Sequence, residues 1–177
     1  MSQTQPSPAV SHVARERTYY WGDPAPTPAA LLELGGLEAL LAMAEGSLPL
    51  PPALATLGLV PVSAEMGRAV FSLTPQEWHQ NPLGTLHGGI LTGLLDTATG
   101  CAVHSTLARG TLYTTVDLSV TFLRPAPTTR GEVRCEGHVV SRGSRTAFAM
   151  KITGLIVLTN LIGVALYASR QHPVPRG

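Results

Sequence analysis

At 177 residues the chain has the length of one ordinary domain with an extension, enough to bury a real core. Only 13% of its residues are charged and 44% are hydrophobic, where a typical soluble domain is about 25% charged, so much of its surface is expected to be covered by other copies of the chain. A net charge of +1 argues against a broadly basic nucleic-acid-binding face, and two cysteines, Cys101 and Cys135, without CxxC or Cys/His spacing support neither a disulfide scaffold nor a zinc site.

Residues 1–28 hold five prolines (Pro6, Pro8, Pro24, Pro26 and Pro28) and no sustained periodicity, which predicts a mostly flexible tail. The start of the chain lacks the charged-then-apolar order of a signal peptide, so a reducing cytoplasm is the expected compartment. Residues 29–52 follow as a helical extension and linker. In "AALLELGGLEALLAMAEG", Leu37, Leu40, Leu41 and Ala44 recur at helical spacing, Gly35-Gly36 splits the helix or delays its start, and "LPLPP" reads as a linker. The compact domain is expected over 53–170, with a short tail at 171–177.

"ATLGLVPVSAEMGRAVFSLT" predicts two short strands around the turn Glu65-Met66-Gly67. After a loop at 81–87, residues 88–106 repeat at helical period, and Ile90, Leu91, Leu94, Leu95 and Ala98 make a broad apolar face. Gly89, Gly93, Asp96 and Gly100 share another side. Each helix-interior glycine costs roughly 1 kcal/mol relative to alanine, so close packing of backbone or ligand against that side is expected to compensate.

From 113 to 122 the period becomes two, with Thr114, Val116, Leu118, Val120 and Phe122 on one face and Tyr113, Thr115, Asp117, Ser119 and Thr121 on the other. Further strands are expected at about 131–141, 145–158 and 163–170. Residues 152–169 carry no charge and approach the length of a membrane span, yet Thr159, Asn160 and Gly163 near the middle suit a turn between two strands, and a hairpin is the preferred reading. One glycine-sided helix followed by antiparallel strands predicts an α+β domain in which a sheet wraps around a central helix.

Asp96 on the glycine side can project into the space the missing side chains leave, and from spacing alone a structural carboxylate bonded to a neighbouring helix or subunit is the favoured reading. A helix starting at Gly88 leaves its first N–H groups unpaired and partly positive, with glycines that let a substrate oxygen approach. Such donors can hold the oxyanion of acyl transfer, although glycines here could also serve only a tight turn. His87 alone reads as a capping or packing histidine, and Asn81 as a loop polar group. The chain has no G-x-S-x-G elbow, Walker loop, H-E-x-x-H or dinucleotide fingerprint.

The segments "NPLGTLHGGILTGLLDTATGCAVHSTL", "YTTVDLSVTFLRPA" and "VSRGSRTAFA", in that order, resemble the hotdog-fold acyl-CoA thioesterases of the PaaI-like branch, from about Ala53 to Ser169. The resemblance implies that Asp96 is the catalytic carboxylate, acting as nucleophile or as the base that activates water, and that the Gly88 N–H is the oxyanion donor, with Gly89 beside it at the substrate. It implies that Asn81 and His87 orient the thioester or water, and that Thr115 brings a hydroxyl near that water. It implies sites formed between two subunits, a homodimer pairing further into a tetramer, and hydrolysis of acyl-CoA without metal or redox cofactor. Arg124, Arg142 and Arg145, read alone as ordinary surface arginines, become expected CoA phosphate contacts. Two other readings stay open on the same fold: an acyl-thioester hydratase or dehydratase, and a non-catalytic module that senses acyl-CoA. The chain departs from the family in its apolar 152–163 segment and in the extension before residue 50.

Overall fold

A computed structural model describes residues 13–129, 131–143, 146–151 and 160–168. Helices α1 (Thr27–Glu33), α2 (Gly36–Glu45) and α3 (Pro52–Leu57) precede strands β1 (Leu59–Glu65) and β2 (Arg68–Leu73). A short 3-10 turn at Glu77–His79 leads to the long helix α4 (Gly88–His104), and four strands follow: β3 (Thr111–Val120), β4 (Val133–Arg142), β5 (Thr146–Lys151) and β6 (Asn160–Ala168). The strands form one sheet in the order β1-β2-β4-β5-β6-β3, and every neighbouring pair is antiparallel. The expected α+β architecture, a hotdog fold with its sheet around a central helix, is what the chain adopts.

The helix sits directly on the sheet because of one missing side chain. At Gly137 on β4, any Cβ would collide with the Ala98 carbonyl of α4, so only glycine lets the two backbones meet. Leu91, Leu94, Leu95, Ala98 and Ala102 of α4 then bury against Phe71, Leu73 and Cys135 of the sheet, while Ile90 packs half-buried at the margin. The β1–β2 turn needs a positive φ at Gly67 (75°), and Gly67 N–H donates to Ser105 Oγ (2.8 Å), tying that turn to the end of α4.

Gly35 forms the N-cap of α2, so the double glycine does split the early helical segment. Gly36 N–H donates to the Leu107 carbonyl at 2.9 Å, and Ala39 is fully buried, which fastens α2 to the loop after α4. Arg17 donates to the Ala55 and Thr56 carbonyls at the end of α3, both at 2.9 Å, placing a cation where the helix dipole is negative. Its guanidinium also lies 4.6 Å from the Trp78 ring centroid.

Three local expectations are corrected. Pro52 to Leu57, read partly as linker and partly as strand, is a helix: proline is compatible with the first helical turn, and buried Leu54 anchors it. The single alternation along 113–122 is broken by a bulge between Thr115 and Asp117. The extra residue reverses the parity, so Tyr113 and Thr115 turn toward the interior before the bulge and Leu118 and Val120 after it, while Val116 is 59% exposed. Asp117 is exposed there. Finally, β6 starts at Asn160, and Gly163 lies inside the strand opposite Asp117 and Phe148 instead of in a turn. Residues 152–159 lie outside the described residues. No helix among the described residues is long and apolar enough to cross a membrane, and the 160–168 half of the apolar segment is a paired strand.

Candidate active site

The stripe Asp96, Gly100, His104 runs along α4 at intervals of four residues and faces β3. A Cβ at Gly100 would lie 2.8 Å from the Tyr113 hydroxyl, so the ring occupies the space the glycine frees. Gly93, on the neighbouring stripe, receives Leu57, whose Cδ1 would be 2.9 Å from a Cβ there. These contacts are the compensation that a glycine-rich helix requires. The resulting groove brings the Thr115 hydroxyl to the half-buried Asp96, donating to its Oδ1 at 2.9 Å. Thr115 shares the inward face of Tyr113 by regular alternation, and the bulge that follows lets Leu118 and Val120 turn inward as well.

The Asp96 charge is felt by two neighbours. Burial and then the Asp96 carboxylate push the Cys101 thiol up to about 12, which leaves it protonated and unreactive near neutrality. Burial first, then Cys101 and Asp96, raise the Tyr113 phenol well above its ordinary value. His104 is dry, held below its ordinary value by burial, with neither ring nitrogen hydrogen-bonded among the described residues. Its ring centroid is 5.5 Å from that of Tyr113.

At the start of α4, His87 is the N-cap, and its Nδ1 accepts from Gly89 N–H at 2.9 Å. The adjacent Gly88 N–H makes no hydrogen bond among the described residues, which leaves one polarised donor at the positive end of the helix. The Phe122 ring, half-exposed, covers Gly88 at 3.3 Å from where a Cβ would be. Asn81 organises the preceding loop: its Oδ1 accepts from Leu83 N–H (2.9 Å) and Thr85 N–H (3.2 Å), and its Nδ2 donates to Thr85 Oγ1 (2.8 Å). Leu86 N–H to the Ala126 carbonyl and His87 N–H to the His79 carbonyl, at 2.9 and 2.8 Å, pin the loop at its far end.

The sequence-predicted residues therefore fall into separate groups within one chain. Asp96 pairs with Thr115; Gly88, Gly89 and His87 gather at the helix start, with Asn81 holding the loop before them. Arg142 lies near the other end of α4, where it donates to the Thr106 carbonyl at 2.6 Å, and Arg124 is exposed shortly after Phe122. Arg145 lies outside the described residues. Tyr113, Cys101 and Phe122 were not singled out as site residues. Tyr113 shared the parity of Thr115 in the sequence, which was the available signal, whereas Cys101 and Phe122 reach the site only through packing.

The sheet wrapped on one long helix is the hotdog fold. A family profile described as the thioesterase superfamily matches residues 83–149. The acyl-coenzyme A thioesterase 13 proteins of Mus musculus and Homo sapiens are each 32% identical over 111 residues, 63% of this chain and 74% of theirs. Among solved structures, a phenylacetic acid degradation-related protein of Ralstonia eutropha JMP134 superposes with a TM-score of 0.64 at 27% identity, covering 71% of this chain and 98% of that one. The E. coli PaaI protein from the phenylacetic acid degradation operon shares the fold, with a TM-score of 0.60 at 23% identity over 76% of this chain and 94% of its own. The chain belongs to the thioesterase superfamily and has the hotdog fold.

Proposed function

We propose that the protein hydrolyses acyl-CoA to free acid and CoA at sites shared between two copies of the chain. The observation that carries the shared site is a distance along α4. Gly88 and Asp96 are eight residues apart on one helix, about 12 Å at 1.5 Å per residue. An oxyanion donor must lie about 3 Å from the oxygen whose carbon is under attack. The donor and the carboxylate of one chain are thus too far apart to work on one carbonyl, whereas two antiparallel copies of α4 related by a two-fold axis bring the donor of each to the carboxylate of the other. Such pairing also covers the open side of α4 and suits the low surface charge. Dimers of this kind pair further into tetramers in the reading the family suggests.

In this mechanism Thr115 holds the Asp96 carboxylate in place by its hydrogen bond. The carboxylate attacks the thioester carbonyl, or removes a proton from the water that does. The partner's Gly88 N–H stabilises the oxygen as it becomes negative, and the C–S bond breaks to release the CoA thiolate. In the first route water then cleaves the acyl-Asp96 anhydride; both end in free acid and CoA. Arg124, Arg142 and Arg145 are assigned to the CoA phosphates.

Two variants and their mixture test the proposal through CoA thiol release. Asp96→Asn removes the charge while keeping the shape, and a loss of roughly 10²–10⁴-fold in kcat is expected. Gly88→Pro removes the N–H and sets its ring against the half-exposed Phe122, which has to give by a few tenths of an ångström; proline is accepted at the first helical position, and His87 before it is already extended (ψ 133°). A loss of roughly 10²–10³-fold is expected. Equal mixtures of the two, unfolded and refolded together, should recover about a quarter of native activity, since half the dimers are mixed and each has one intact site of two. Mixtures no more active than the separate variants would overturn the shared site, and full activity of Asp96→Asn would overturn the mechanism.

A further inference from the structure

Beneath the N-terminal extension lies an apolar chamber of about 80 Å³. Leu40 and Met43 of α2 and Leu54 of α3 form its roof, Phe71 of β2 one wall, and Thr97 and Cys101 of α4 its floor. Thr97 turns its hydroxyl back to the Gly93 carbonyl at 2.8 Å, so the floor is apolar as well. Nothing in this chamber is used by the carboxylate, the helix-start donor or the arginines assigned to CoA.

Resting on the proposed acyl-CoA hydrolysis, we infer that this chamber receives the methyl end of a linear aliphatic acyl chain and excludes aryl groups. Three observations carry this. The floor is the flank of α4 next to Asp96: Thr97 follows it in sequence, and Cys101 is near enough to feel its charge. A chain whose carbonyl is at Asp96 needs only to pass around a helix about 10–12 Å wide to enter, which a medium-length chain spans. Second, the lining is almost wholly apolar, its hydroxyls being Ser63 at the side and Thr97, which is bonded back to its own helix. Third, an apolar cavity of about 150 Å³ is what accommodates a benzene ring, and this one is roughly half that size, suited to a few methylenes.

The α2 part of the roof, Leu40 and Met43, is built by the part of the chain outside the family resemblance. Leu50 and Val62 at its edge are 38% and 39% exposed, so the chamber is a half-open sleeve that a chain can enter without displacing α2. The extension before β1 is thereby a specificity element, and Met43 sets the depth of the sleeve from above as Ala64 of β1 does from the side.

Binding of non-hydrolysable S-alkyl-CoA thioethers to the full chain, measured by titration calorimetry for butyl to hexadecyl chains, tests this independently of turnover. Each methylene that enters should tighten binding by roughly fourfold until the sleeve is full, after which the affinity levels off. Met43→Ala should move that plateau to longer chains and Ala64→Leu to shorter ones. Two opposed changes on different elements guard against one variant failing to fold. Unmoved plateaus in both folded variants would overturn the chamber, as would a phenylalkyl thioether binding as tightly as an alkyl one of equal carbon count. Length-dependent binding without release of CoA from any acyl-CoA would overturn the hydrolysis and leave the chamber standing. Absence of both would overturn both.

Discussion

Helix α4 presents two faces to the same sheet. One, Leu91, Leu94, Leu95, Ala98 and Ala102, is dry and apolar and meets β2 and β4; the other, Asp96, Gly100 and His104, is small or polar and meets β3. The first face is replaceable chemistry, since any side chains of matching volume would hold the helix there. The second depends on individual residues: a glycine for Tyr113, a carboxylate for Thr115. The fold resides in the first face and the proposed reaction in the second.

The largest expected effect separates the faces most clearly. Leu95 is almost completely buried, and Leu95→Ala should cost about 2–5 kcal/mol of stability in chemical denaturation. The molecules that remain folded should keep the native kcat. A variant stable to within 0.5 kcal/mol of native would mean that the apolar face does not hold α4.

Thr115→Val comes next and acts on the other face. It preserves shape and removes the donor to Asp96 Oδ1, and hydrogen bonds to charged groups contribute about 1.5–3 kcal/mol. A fall in kcat of roughly ten- to a hundredfold is expected, with the melting temperature little changed because the site is half open to water. An unchanged kcat would make Thr115 a packing residue, and a collapse in stability would assign it to the fold.

The two faces were unequally legible in the sequence. The apolar face follows from a 3.6-residue period, a local property, and the expected helix 88–106 differs from Gly88–His104 only at its end. Asp96 was visible as a carboxylate where none is needed, and Thr115 through the family resemblance. That Thr115 faces inward on the same strand as Leu118 and Val120, however, needs the β3 bulge between them, and a bulge is decided by the partner strand, here β6, whose start was itself misplaced. Helix α3 was missed because six residues opening on Pro52, with Pro51 before them, carry little periodicity; tertiary burial of Leu54 makes the helix. The chamber was invisible because it is enclosed by five elements, α2, α3, β1 and β2 together with the later α4.

The smallest expected effect lies at the dry end of the polar stripe. His104 has a folded-state pKa below its unfolded value of about 6.5 because burial disfavours its charged form. The unfolded chain therefore binds a proton that the native chain refuses. Stability is fully present above pH 6.5 and falls as the pH drops below it, by at most about 1.4 kcal/mol per pH unit for this one group, until the folded value is reached. His79 acts in the same direction, through burial and the nearby Arg17 charge, so both contribute to the acid slope. His104→Leu should leave stability at pH 8 unchanged or higher, since both unpartnered nitrogens disappear, and should make denaturation midpoints between pH 7 and 5 less steep. A slope as steep as native would place the proton uptake elsewhere, and a large loss at pH 8 would mean that the ring is held by a partner after all. Asp96, eight residues up the same stripe, has Thr115 as its partner, while the His104 ring nitrogens have none among the described residues; the stripe thus grades from a hydrogen-bonded carboxylate to a histidine disfavoured from protonation by burial.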